Sequence, residues 1–205
     1  MKSNEMKMLM PLDIQMFANR VQYGLNNVHY AVLTRAADGS ITYGKPVRIP
    51  GAVSITTSPT GGANNFYADN GIYYARNANT GYEGTLSIAL IPEQFKIDVL
   101  GERIVNGMLA EFSDAKSNDI ALLYEIEGDE EQDRLAYYDV TVARPNNNAN
   151  TTGDTIEISP NELAITVKPR TSDKAIKAIS NKTLDPDVFA NFFTSVQEPV
   201  PTPTP

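Results

Sequence analysis

Glu125 and Glu127 come closest to a catalytic pattern in this chain. If residues 120–127 form a strand, both carboxylates share one face with Leu123, while Leu122, Tyr124 and Ile126 take the other. Glycoside hydrolysis needs two carboxylates opposed across a cleft. Two acids two residues apart on a strand are more ordinarily a water-facing surface. The run Gly39-Ser40-Ile41-Thr42-Tyr43-Gly44-Lys45 fits the first seven positions of a phosphate-binding loop, but Pro46 stands where a hydroxyl should hold magnesium. Its surroundings also read turn–strand–turn, not strand–loop–helix, so the match is chance. With no cysteine and a single histidine, His29, the chain has no disulfide, thiolate metal site, cysteine nucleophile or multi-histidine site. His29 reads as a strand residue between Val28 and Tyr30. The acidic run Gly128 to Asp133 lacks the oxygen-ligand spacing of an EF-hand. These residues imply no reaction, no cofactor and no metal.

A second set of residues suits recognition. Phe66, Tyr67, Asp69, Asn70, Tyr73, Tyr74 and Tyr82 crowd into one stretch with several Asn and Gly residues. Tyrosine buries a large area and keeps a polar tip, so it is favoured at protein interfaces. The other reading is a core hairpin of a monomer. Disorder is disfavoured by the aromatics.

The elements that must position this stretch lie between Pro50 and Leu100. Val53, Ile55 and Thr57 alternate with Ala52, Ser54 and Thr56, the period of a half-buried strand. Gly61 and Gly62 break that strand, and a long polar loop runs from Ser58 to Tyr82. Within it Asn70-Gly71 is a strong hairpin signal, because both residues tolerate positive φ. Tyr82, Leu86, Ile88 and Leu90 restore period 2. Pro92 can open a short helix with Phe95 and Val99 on one face, and Gly101 suits its C-terminal cap.

Elsewhere, Val28, Tyr30 and Val32 share a strand face, Ala37 to Ser40 form a turn, and Asn106-Gly107 form another. Leu135 to Val142 return antiparallel to residues 120–127. Ile156 and Ile158 pair with Leu163, Ile165 and Val167 in a last hairpin turning at Ser159-Pro160-Asn161. Asp185-Pro186 caps a helix whose apolar stripe is Val188, Phe189, Phe192, Phe193 and Val196. The expected architecture is mainly β, an antiparallel sandwich or barrel with one or two short flanking helices. Residues 1–18, with four methionines before the tract Pro11 to Ala18, form a leader or arm; 19–197 form the domain; 198–205 form a Pro/Thr-rich tail.

Charge is unevenly placed. Of 25 acids and 17 bases, ten acids but only Lys116 and Arg134 fall between Glu111 and Asp139, so the net −8 sits in that segment. Glu125, Glu127, Asp129, Glu130 and Glu131 are its densest part. Phosphate binding needs Lys and Arg, so this segment does not hold nucleic acid. No apolar run approaches the ~20 residues that span a bilayer, and no clean signal peptide opens the chain.

Several pieces together resemble a known family. They are Val21 to Ala31, Pro50-Gly51-Ala52-Val53, Phe66-Tyr67-Ala68-Asp69-Asn70, Gly81-Tyr82-Glu83-Gly84, and Ala89-Leu90-Ile91-Pro92 followed by Phe95, Asp98, Val99, Leu100 and Gly101. Ala143-Arg144-Pro145 and Asp187-Val188-Phe189 complete the pattern. The chain resembles siphophage major tail proteins over residues 19–196. The resemblance implies a non-enzymatic virion protein, assembled in the host cytoplasm. It also implies a tail-tube β-sandwich whose hexameric rings stack into a conduit through which DNA passes without specific binding. Partners would be further copies of the chain, a tape measure protein and a tail terminator, with no membrane. On this reading the seven aromatic and turn residues named above become subunit or ring contacts, the leader an arm packing onto a neighbour, and the five acids a channel lining that repels phosphate. The alternative is a monomeric β-sandwich module binding a ligand through residues 58–82. Rings or tubes in electron micrographs, against a compact monomer, separate the two.

Overall fold

The computed structural model describes residues 23–68, 70–127, 132–147 and 159–199. In chain order the elements are β1 (Leu25–Arg35), β2 (Ile41–Tyr43), β3 (Val47–Arg48), β4 (Ala52–Thr60), β5 (Ala63–Ala68), β6 (Gly71–Asn77), β7 (Gly81–Ile88), α1 (Glu93–Asp98), β8 (Arg103–Val105), β9 (Met108–Ala110), β10 (Ile120–Ile126), β11 (Asp133–Val142), β12 (Asn161–Val167), β13 (Lys177–Ser180) and α2 (Pro186–Asn191). The fold is mainly β, as the alternation implied. One antiparallel sheet runs in the order β2-β1-β10-β11-β12-β7-β4, with β3 added to β1 and β13 to β11. It curls so that β4 lies against β1, yet among the described residues no ladder joins these two strands into a closed barrel. The leader, the turn tip 128–131, the stretch 148–158 with Ile156 and Ile158, and the tail 200–205 lie outside the described residues.

The concave side holds the main core. Val28 and Tyr30 of β1, Leu122 and Tyr124 of β10, Tyr137 and Val140 of β11, Leu163 and Ile165 of β12, and Leu86 and Ile88 of β7 meet there. Phe95, Val99 and Leu100, from α1 and the turn after it, plug it. Phe95 is fully buried edge-on to Tyr30, whose hydroxyl donates to Asp98 at 2.9 Å. As expected, Gly101 sits past the helix end at φ 75°, where its missing Cβ avoids the Lys116 carbonyl.

The convex side is covered as well. Ala31, Ala121, Leu123, Ala136 and Tyr138 pack with Phe192, and Phe193 and Val196 lie against them. β1, β10 and β11 are therefore buried on both faces. α2 starts where Asp185 accepts from the Asp187 and Val188 amides and Pro186 fills the first helical position.

A bulge corrects one face assignment. The β4–β7 register slips between Ala52 and Ser54, so Val53 points outward at 57% exposure while Ile55 and Thr57 face the core. Leu90 lies beyond the end of β7 and is exposed. The turn at 36–40 and the Asn106-Gly107 turn occur as expected, the latter at φ 54° and 77° between β8 and β9. The segment that mimics a phosphate loop is that first turn plus β2. β12 pairs with β7 on one side and β11 on the other.

Candidate assembly surface

The polar loop between β4 and β7 is a second hairpin standing off the main sheet. β5 and β6 pair only with each other among the described residues, from Ala63–Asn77 to Ala68–Gly71. Ala68 pairs with Gly71, so Gly71 opens β6 where the sequence signal had put it in the turn. Asn70 takes φ 63°, a left-handed conformation that Asn tolerates. Glycines shape the root. Gly61 and Gly81 have φ 143° and 133°, and a Cβ there would lie 1.8 Å from the Ala78 carbonyl oxygen and 2.0 Å from that of Val167. The Thr80 amide and hydroxyl both donate to the Thr60 carbonyl, at 3.0 and 2.7 Å. The hairpin is thus tied to the ends of β4 and β7 without a neighbouring strand of its own.

The sequence candidates divide here. Tyr73 and Tyr74 are 76% and 58% exposed. Phe66 and Tyr67 are on β5, with only their backbone described, and Asp69 lies outside the described residues. Tyr82 is separate from this group. It is half-buried at the start of β7, 5.7 Å from the Tyr137 ring, with the Lys177 ammonium 4.9 Å from its own. It serves its own chain's core and is not part of the exposed hairpin.

The acidic candidates also divide, and one is corrected. Glu125 is 4% exposed and does not face water. It pairs across strands with Arg134, whose Nε donates to Oε2 at 2.7 Å. The Arg134 guanidinium lies 3.6 Å from the Phe189 ring centroid and 4.9 Å from that of Phe193, and it donates to the Phe189 carbonyl. α2 therefore roofs the ion pair, and Glu125 has no free charge to line a channel. Glu127 stays exposed at the strand end and accepts from the Asn26 amide at 2.6 Å. Asp129, Glu130 and Glu131 lie outside the described residues.

Two charge clusters went unread in the sequence, because their members come from distant strands. Asp119 accepts from Thr141 and Arg35, while buried Asp139 accepts from Arg35 at 2.6 Å and has Lys168 3.7 Å away. Burial pushes the Asp119 carboxyl up, but the Thr141 and Arg35 hydrogen bonds outweigh it and hold its pKa low. Buried Arg170 binds Asp173 and reaches Glu198, while Tyr138 donates to the Gln197 carbonyl at 2.9 Å. Hydrogen bonds from Arg170 lower Asp173 to about 2. His29 is a strand residue, as expected. Its Nδ1 donates to the Asn27 carbonyl, its ring stacks on Phe193 at 4.6 Å, and burial lowers its pKa. Among the described residues, no group of three or more His, Asp or Glu side chains is placed to hold a metal ion, and no helix is long and apolar enough to cross a membrane.

The charged clusters thus brace strands of one β scaffold, and Tyr73 and Tyr74 stand exposed on a hairpin off its main sheet. The family model for phage tail tube protein matches residues 14–191, and the chain belongs to that family. It is a structural component of a virion tail. No curated protein matches the chain.

Proposed function

We propose that this protein polymerises as stacked hexameric rings into the tube through which phage DNA leaves the particle, and that the β5–β6 hairpin makes the contact between copies. The observation that carries this reading is the hairpin's isolation. A two-stranded ribbon is at best marginally stable alone in water. This one keeps Tyr73 and Tyr74 in solvent on a glycine-shaped root. A neighbouring copy would cover them, with Phe66, Tyr67, Asp69 and Asn70 contributing to the same surface. Rings close when the rotation between head-to-tail contacts fits, and stack when a second surface repeats. Assembly takes place in the host cytoplasm, with a tape measure and a terminator setting the length of the tube.

The tube's wall needs a surface on which phosphate does not stick. Glu127 with Asp129, Glu130 and Glu131 is the segment we assign to it, without Glu125. Replacing residues 62–80 by a short glycine bridge tests the hairpin. The expected product is a folded monomer by size exclusion that forms no tubes under the electron microscope. Tubes of normal length would overturn the proposal, and a wild-type chain that stays monomeric would favour a ligand-binding module.

A further inference from the structure

The curled sheet leaves an apolar groove where β4 fails to join the rest. Tyr23, Leu25, Val53, Ile55, Tyr124 and Ile126 line it, around a volume of about 410 Å³. β4 is the last strand of the sheet and pairs only with β7 among the described residues, so no described strand pairs with its outer edge beside this groove. Such an edge is a template for another strand, and long open edges are ordinarily covered. Tyr23 and Val53 are both strongly exposed there.

Tyr23 is a wall of the groove, and the 22 residues that precede it in the sequence are covalently joined to that wall. Their sequence suits the site. Leu12, Ile14 and Met16 alternate with Asp13 and Gln15, which puts three apolar side chains on one face of a strand and two polar ones on the other. The seven positions from Met16 to Tyr23 span up to ~23 Å when extended, enough for a turn and a return along the start of β4. We propose that residues 12–16 of the leader lie as an added strand on the β4 edge of their own chain. Leu12, Ile14 and Met16 then fill the groove, and Asp13 and Gln15 face water. This assigns the leader a role inside the subunit, in place of the expected arm on a neighbour. It is independent of the hairpin's contact.

Because the chain has no cysteine, engineered pairs report cleanly. In full-length protein at dilution, before assembly, Val53→Cys is combined in turn with Leu12→Cys, Asp13→Cys, Ile14→Cys, Gln15→Cys and Met16→Cys, and each pair is oxidised. The expected result is an intramolecular disulfide with at least one of positions 12, 14 and 16 and with neither 13 nor 15. Disulfides independent of parity, disulfides only between chains, or none at all would each overturn the proposal. Hydrogen exchange gives a second reading that needs no cross-link. The full-length variant with Leu12, Ile14 and Met16 all changed to Asn should exchange the amides of residues 53–57 at least ~10-fold faster than wild type, as a strand edge losing its cover does. Equal exchange would overturn the added strand.

Discussion

At the residue scale, partners decide what a charge does. Glu125 lies in β10 and Glu127 just past its end with the same parity, yet one is roofed by α2 and paired while the other meets water. Removing one member of a buried pair strands the other, which costs about 3–5 kcal/mol. Arg134→Ala should therefore lose that much in urea unfolding, whereas Glu127→Gln should change stability by less than about 0.5 kcal/mol. Asp173 gives a pH test. Its carboxyl is held at about 2 in the folded chain. In the unfolded chain its pKa is about 3.9, so its ionised form adds stability in full above about pH 4 and loses it as pH falls toward 2. Asp173→Asn should flatten the acid limb of the stability curve between those values, and an unchanged limb would show that Arg170 is held by other groups.

At the element scale, helices and turns follow local chemistry, while faces follow register. α2 begins with a carboxylate cap and a proline, and its apolar stripe seals the convex face over Arg134. Asp185→Ala removes the acceptor for two amides and should lower stability by about 1 kcal/mol in thermal or chemical unfolding. The turn of the β5–β6 hairpin depends on Asn70 at φ 63°. Asn70→Gly should be tolerated there. Asn70→Val, β-branched at positive φ, should weaken tube assembly in micrographs while the main sheet melts near the wild-type temperature.

At the scale of the whole molecule, the chain is a subunit whose net charge of −8 concentrates in one segment. The proposed ring would bring copies of that segment together, although screening over ~8–10 Å limits its reach at physiological salt. If Glu127 and its neighbours line the conduit, particles carrying Glu127→Lys and Asp129→Lys should assemble normal tubes but release DNA more slowly, with the delay shrinking as salt rises. Normal ejection kinetics in normal particles would move this segment to the outside.

Much of the fold was legible in the sequence because its signals are local. Period-2 alternation marked the strands around Val28, Leu122 and Leu163, Asp185-Pro186 marked a helix start, and Asn106-Gly107 marked a turn. Each depends on a few neighbouring dihedral angles and on which side of a strand is apolar. The turn residues between β4 and β7 marked a hairpin for the same reason. Tertiary structure alone decided the rest. A bulge at Ala52–Ser54 turned Val53 outward, since one extra residue inverts a strand's faces. The packing of α2, some 60 residues further along, converted Glu125 from a surface acid to a buried partner of Arg134. Asp119, Asp139, Arg35 and Lys168 became one network only when four separate segments met. Alternation within one strand records whether a side chain leaves water but not which distant side chain will meet it, because that depends on long-range strand order and on what covers the second face.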